Sequence, residues 1–173
     1  MGSLNGKKVL MVIASNQFRD EEYQKPRQIL ETAGAQVTVA SSSLNEAAGM
    51  LGLKVKPDIL LKDARMDQFD AVVFVGGMGA TEYWENPVAH ALARSAFSAG
   101  KPTSAICLAP MTLANAGLLK GKKATIWKDA VSDFKTKGVA YTGKSVERDG
   151  KLITGSGPDA AEEFGKALVE ALS

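Results

Sequence analysis

Apolar residues in this chain gather into short unbroken runs, separated by longer stretches with helical spacing. Lys8 to Ala14 (KVLMVIA) is the first run, apolar on consecutive rather than alternate residues. That pattern suits a parallel strand covered on both faces. Asp20 to Ala33 reads as a helix stopped by Gly34, with Pro26 marking a kink or an irregular start. Gln36 to Ser41 (QVTVAS) is the second strand, so the chain opens with a right-handed βαβ crossover.

The pattern then loosens and returns. Ser42 to Gly52 is small, polar and turn-rich, and Leu53–Val55 and Ile59–Leu61 are short strand candidates around Pro57-Asp58. Phe69 to Val75 is another buried strand, ending in Gly76-Gly77-Met78-Gly79. Pro87 to Ala99 is a helix with Asn86 as its N-cap and Gly100 as its stop. Thr103–Ile106 is a strand that runs into Cys107, and Leu108 to Ala116 is the helix after it. Lys123–Ile126 reads as a strand and Asp129–Thr136 as a short helix. Asp149-Gly150 marks a two-residue hairpin between Ser145–Arg148 and Lys151–Thr154. Pro158 to Leu172 closes the chain as a helix, with Phe164, Leu168 and Leu172 on one face. Strands alternating with helices predict an α/β fold with a mainly parallel central sheet. Ligands in such sheets sit at the carboxyl ends of strands, near a topological switch point. Ser15–Glu22, Gly76–Gly79 and Cys107 all fall at such ends.

Composition narrows the picture. The 173 residues are 45% hydrophobic, enough for one domain with a real core spanning 1–173. A net charge of +2, with no basic run, argues against a nucleic-acid partner. No apolar run approaches a membrane span, and the N-terminus lacks a signal-peptide shape. Met1-Gly2 opens like a myristoylation signal, but Gly6 stands where that signal needs Ser or Thr. A single cysteine cannot form an internal disulfide, which points to the reducing cytoplasm.

That cysteine is also the main chemical candidate. Ala105 and Ala109 flank Cys107 at the spacing a nucleophile elbow needs, because a strained turn leaves no room for large neighbours. A helix starting just beyond it would favour thiolate over thiol, so the expectation is a pKa below the free value of about 8.5. A buried structural cysteine is the plainer alternative. Gly76-Gly77 leaves bare N–H groups free for an oxyanion or phosphate, or simply forms a tight turn. Asp20, Glu21 and Glu22 suit a helix N-terminus, and one of them turned toward Cys107 would be desolvated and protonated. His90, the only histidine, lies opposite a Val88, Leu92 and Ala96 stripe and reads as a solvated helix residue. No spacing of His, Cys, Asp and Glu suggests a metal site. The remaining methionines, Met50 and Met78 among them, read as core filler or loop residues.

The ordered set of motifs resembles the ThiJ/PfpI family. It comprises Phe18-Arg19-Asp20-Glu21-Glu22 with Pro26, Val55-Lys56-Pro57-Asp58, Phe74-Val75-Gly76-Gly77 and Ala105 to Pro110. Ala116 to Gly121, Asp149 to Thr154 and Gly157-Pro158 complete it. The resemblance implies a flavodoxin-like three-layer sandwich that needs no cofactor and works as a homodimer. It implies that Cys107 is the nucleophile and that Glu22, four residues before Pro26, is its protonated partner. Gly77 and the Leu108 N–H would then be oxyanion donors, with Gly76 beside them. The activities implied are glyoxalase or deglycase action on small reactive carbonyls, redox-sensing or chaperone-like stress roles, and peptidase. A non-catalytic relative is the third reading, since a fold alone does not carry a function.

One departure matters. PfpI-type members carry His directly after the cysteine, where this chain has Leu108, and others take a histidine from the segment after Gly121. Here that segment reads Ala124-Thr125-Ile126-Trp127. Peptidase chemistry is disfavoured, because it needs an imidazole to shuttle the proton. The expected partners are thus a small carbonyl substrate or an oxidant and a second copy of the chain, which would bring Glu82 or Tyr83 toward Cys107.

Overall fold

A computed structural model describes residues 3–173. Met1 and Gly2, where the myristoylation signal would begin, lie outside the described residues. The first half of the chain forms β1 (Lys8–Val12), α1 (Asp20–Thr32), β2 (Gln36–Ser41), β3 (Ala47–Ala48), β4 (Lys54–Val55), β5 (Ile59–Leu60) and β6 (Ala71–Phe74). The second half forms α2 (Pro87–Ser98), β7 (Thr103–Ile106), α3 (Pro110–Asn115), β8 (Lys123–Ala124), α4 (Val131–Thr136), β9 (Ala140–Tyr141), β10 (Val146–Asp149), β11 (Leu152–Gly155) and α5 (Ala161–Leu172).

Seven strands make one sheet in the order β10-β11-β7-β6-β1-β2-β5, parallel throughout except for β10 against β11. The unbroken apolar runs explain its place. Val9, Met11 and Ile13 point into the core beneath α1 and α5, with Leu30, Phe164 and Leu168. Leu10 and Val12 point the other way, into the core beneath α2 and α3 with Leu92 and Leu113. Two cores on one sheet give the flavodoxin-like three-layer α/β sandwich. No helix among the described residues is long and apolar enough to cross a membrane.

Several local expectations shift. Asp149 pairs with Leu152, so the hairpin turn is Gly150-Lys151 and not Asp149-Gly150. Gly150 has φ +63°, which suits the first central position of a type II′ turn. Pro26 does not end α1: the helix continues to Thr32, and Pro26 is buried against α5, where Gly165 leaves room for it and for Ile29. Ala89, Leu92, Ala93 and Ala96 form the buried face of α2, while Val88 is exposed. The Asn86 cap is as expected, its Oδ1 accepting from the N–H of Val88 (2.8 Å) and Ala89 (3.1 Å). The strand candidate at Leu53–Val55 appears as β4, and it pairs antiparallel with β3, a two-residue strand inside the turn-rich stretch that was not expected there.

Candidate active site

The site forms where the carboxyl ends of β1, β6 and β7 meet, at the switch point of the sheet. Cys107 follows β7 directly and has φ +66°, a left-handed conformation that costs an L-residue about 1–2 kcal/mol. The backbone on both sides holds it there. Its N–H donates to the Gly155 carbonyl (2.9 Å), and its carbonyl accepts from the Trp127 N–H (2.9 Å). Ala105 and Ala109 are buried at its flanks, as an elbow requires.

The helix contributes less than its position suggested. α3 starts at Pro110, which has no N–H, and the Ala109 N–H is already donated to the Ile106 carbonyl (3.1 Å). The backbone groups that act on the sulfur are the N–H of Leu108 and the N–H of Gly77. Gly77 has φ +107°, and a Cβ there would strike the backbone of Gln17 and Phe18. Gly76 is needed for a different reason: a Cβ would collide with the Glu22 carboxyl, the Ile106 carbonyl and Cys107. Its N–H faces Glu22 rather than the sulfur, so Gly76 belongs to the carboxyl's surroundings and Gly77 to the sulfur's.

The three neighbouring acids separate cleanly. Asp20 accepts from the N–H of Leu51 (2.9 Å) and Leu53 (2.8 Å), tying the ribbon to α1. Glu21 takes the Arg19 guanidinium, with Nε at 2.8 Å. Glu22 is fully buried, and neither carboxyl oxygen accepts a hydrogen bond of good geometry. The Cys107 thiol and the Gly76 N–H are the hydrogen-bonding groups that act on it. Burial pushes its carboxyl up to about 8, so it holds a proton at neutral pH.

The thiol departs from expectation. Burial is the largest influence on Cys107 and, with the charge of an ionised Glu22, pushes it up to about 12, while the Gly77 and Leu108 N–H groups pull it down. A turn that simply lowers the thiol pKa is therefore not what the fold provides. The pair decides the outcome. A charge on Glu22 repels a thiolate; a protonated Glu22 offers it a third donor beside the two N–H groups.

Above the sulfur lies a pocket of about 240 Å³. Met50, Met78, Leu108, Trp127 and Pro158 make its apolar walls, and Arg19 and Asp129 bring charge to its rim. The other candidates lie elsewhere. His90 Nε2 donates to the Trp84 carbonyl (2.8 Å) and does not line the pocket. Tyr83 is buried within its own chain, donating to the Ile13 carbonyl (2.8 Å). Glu82 is exposed and accepts from the Ser15 N–H (2.7 Å). Among the described residues, no three His, Cys, Asp or Glu side chains gather to hold a metal ion.

Residues 7–171 match the DJ-1/PfpI family. The chain belongs to that family. It is 40% identical to a functionally unassigned protein of Methanocaldococcus jannaschii, over 98% of this chain and 84% of the other. It is 32% identical to the deglycase PfpI of Pyrococcus furiosus, over 86% of this chain and 90% of the other. The crystal structure of a ThiJ/PfpI domain protein from Brachyspira murdochii superposes with TM-score 0.93 at 30% identity, covering 96% of this chain and 98% of that one. Within the DJ-1/PfpI frame, the departure noted in sequence lies in the pocket itself. Leu108 stands half-buried on its wall, and the segment after Gly121 delivers Trp127 instead of an imidazole. Trp127, Arg19, Asp129 and the two methionines were not anticipated as pocket residues. Their only signal was a large aromatic between a strand and a helix, and methionines in turn-rich stretches.

Proposed function

We propose that this protein is a cofactor-independent cysteine enzyme acting on small reactive carbonyls, of the glyoxalase or deglycase kind. One observation carries the reading: the strained Cys107 faces a buried, protonated Glu22 and two backbone N–H donors at the floor of a small pocket. The resemblance to the Pyrococcus deglycase supports the same class. The Cys107 thiol gives its proton to solvent, and the thiolate adds to an aldehyde carbon, forming a C–S bond while the carbonyl electron pair moves to oxygen. The Gly77 and Leu108 N–H groups, released from the sulfur's charge, meet that oxyanion. Glu22 supplies the proton that completes the hemithioacetal. As a carboxylate it then takes the proton from the former aldehyde carbon and returns it to the neighbouring carbon of a dicarbonyl, while the hemithioacetal hydroxyl proton passes to the neighbouring oxygen, leaving a thioester of a hydroxy acid. Water cleaves the thioester to a hydroxy acid and free thiol. Purified protein should convert methylglyoxal to lactate, and Cys107→Ala should abolish this; no conversion by the wild type contradicts the reading.

A redox role is the second reading, favoured by the absence of any histidine from the pocket wall. A peroxide would transfer oxygen to the thiolate, giving sulfenate and water, and a second equivalent would give sulfinate. Intact mass rising by two oxygens at Cys107 under mild peroxide, without carbonyl turnover, selects it. Peptidase action lacks its imidazole, so peptides should not be hydrolysed. The protein works as a homodimer in the reducing cytoplasm on this proposal. Exposed Met50, Leu51 and Met78 beside the pocket support a covered face, and a single free cysteine fits the compartment. A monomer in light scattering at micromolar concentration contradicts the dimer.

A further inference from the structure

We infer that Trp127 makes this pocket selective for carbonyl compounds bearing an aromatic ring over those bearing a methyl group. The inference rests on the reading of Cys107 as a nucleophile toward small carbonyls, and deepens it by naming the substituent.

Trp127 is fixed to the nucleophile by backbone, its N–H donating to the Cys107 carbonyl at 2.9 Å. The indole Nε1–H donates to Asp129 Oδ2 at 3.2 Å. Its six-membered ring sits against Gly157, where a Cβ would fall 2.7 Å from the ring. Lys128 Nζ lies 5.5 Å from the ring centroid, adding a cation–π contact from outside the pocket lining. The ring is half-buried and lines the pocket that opens on Cys107. Met50 and Met78 stand on the same pocket, and thioethers make favourable contacts with aromatic rings.

The pocket's 240 Å³ equals the share of about eight waters, enough for one ring and a two-carbon dicarbonyl unit. A methyl group would leave most of that apolar wall in contact with water. An aryl group would exchange the water for an offset-stacked partner and two polarisable sulfurs. Arg19 and Asp129 keep the rim polar, so the aldehyde can remain hydrated until it reaches the sulfur.

The test separates this selectivity from enzyme activity by using alkylation. Phenacyl bromide and bromoacetone each react with the thiolate by forming a C–S bond and expelling bromide, and the thiol proton passes to solvent. Each rate with the protein, read as intact mass, is divided by its rate with N-acetylcysteine. The normalised aryl-to-methyl ratio should be about tenfold in the wild type and fall to about one in Trp127→Ala. Trp127→Phe should restore most of the ratio, which a purely structural role for the indole would not. Equal ratios in wild type and Trp127→Ala, or a wild-type ratio near one, overturn the inference. Phenylglyoxal and methylglyoxal are then compared for turnover. Selective alkylation with no turnover of either supports the wall and rejects the enzyme reading. Turnover without aryl preference rejects the wall and keeps the enzyme.

Discussion

Two turns in this molecule adopt nearly the same backbone angle, φ +63° at Gly150 and φ +66° at Cys107. Gly150 follows β10 and Cys107 follows β7, two strands of one sheet with β11 between them, yet they differ in what the angle costs. Gly150 has open space around it and no side chain, so its turn is free of strain. Cys107 carries a side chain into the same region, and the fold holds it with bonds to Gly155 and Trp127. Strain is kept where the sulfur must point and relieved by glycine where only the chain must reverse. The other left-handed non-glycine residue, Gln17 at φ +58°, sits at the same end of the sheet, its carbonyl accepting from the Gly79 N–H (3.0 Å).

Substitutions can break that contrast. Gly76→Ala should have the largest effect, since the new Cβ meets backbone and the Glu22 carboxyl together. We expect a loss of about 3 kcal/mol in denaturant unfolding and loss of selective alkylation at Cys107. Next is the cost of burying Glu22. Its carboxyl is raised from 4.5 to about 8 in the fold, so between those values the native state binds more protons than the unfolded chain. Stability is therefore fullest below about pH 4.5 for this group and declines as pH rises toward about 8. Thermal unfolding from about pH 5 to about pH 8 should show a loss on the order of 3 kcal/mol in wild type that Glu22→Gln lacks. The smallest effect compares the turns directly. Gly150→Ala should cost about 1 kcal/mol, and Cys107→Ala should be less stable than Cys107→Gly by a similar amount. If Ala is as stable as Gly at 107 but not at 150, the strain is not where the backbone places it.

The fold was largely legible from sequence because consecutive apolar residues report a doubly covered strand. β2 and β7 fall on their expected residues, and the elbow was visible in Ala105 and Ala109. Glu22 was singled out from its neighbours only by resemblance, since Asp20, Glu21 and Glu22 differ in direction and not in local pattern. The β3 strand and its pairing with β4, and the pocket places of Trp127 and Arg19, were out of reach for a related reason. Their roles come from which loops meet above the sheet, and neither alternation nor helical spacing records that. The thiol pKa was misjudged because a helix start was counted without its missing Pro110 N–H and without burial.

The central claim is that Glu22 and Cys107 titrate as one pair, with Glu22 holding the proton that governs the thiolate. Iodoacetamide alkylation of Cys107 against pH, in wild type and Glu22→Gln, tests it most directly. Wild type should show two steps, one near the carboxyl's value of about 8, and Glu22→Gln should show a single step. Identical profiles in the two proteins, or reaction only after unfolding, would contradict the account and leave Cys107 a packed core residue.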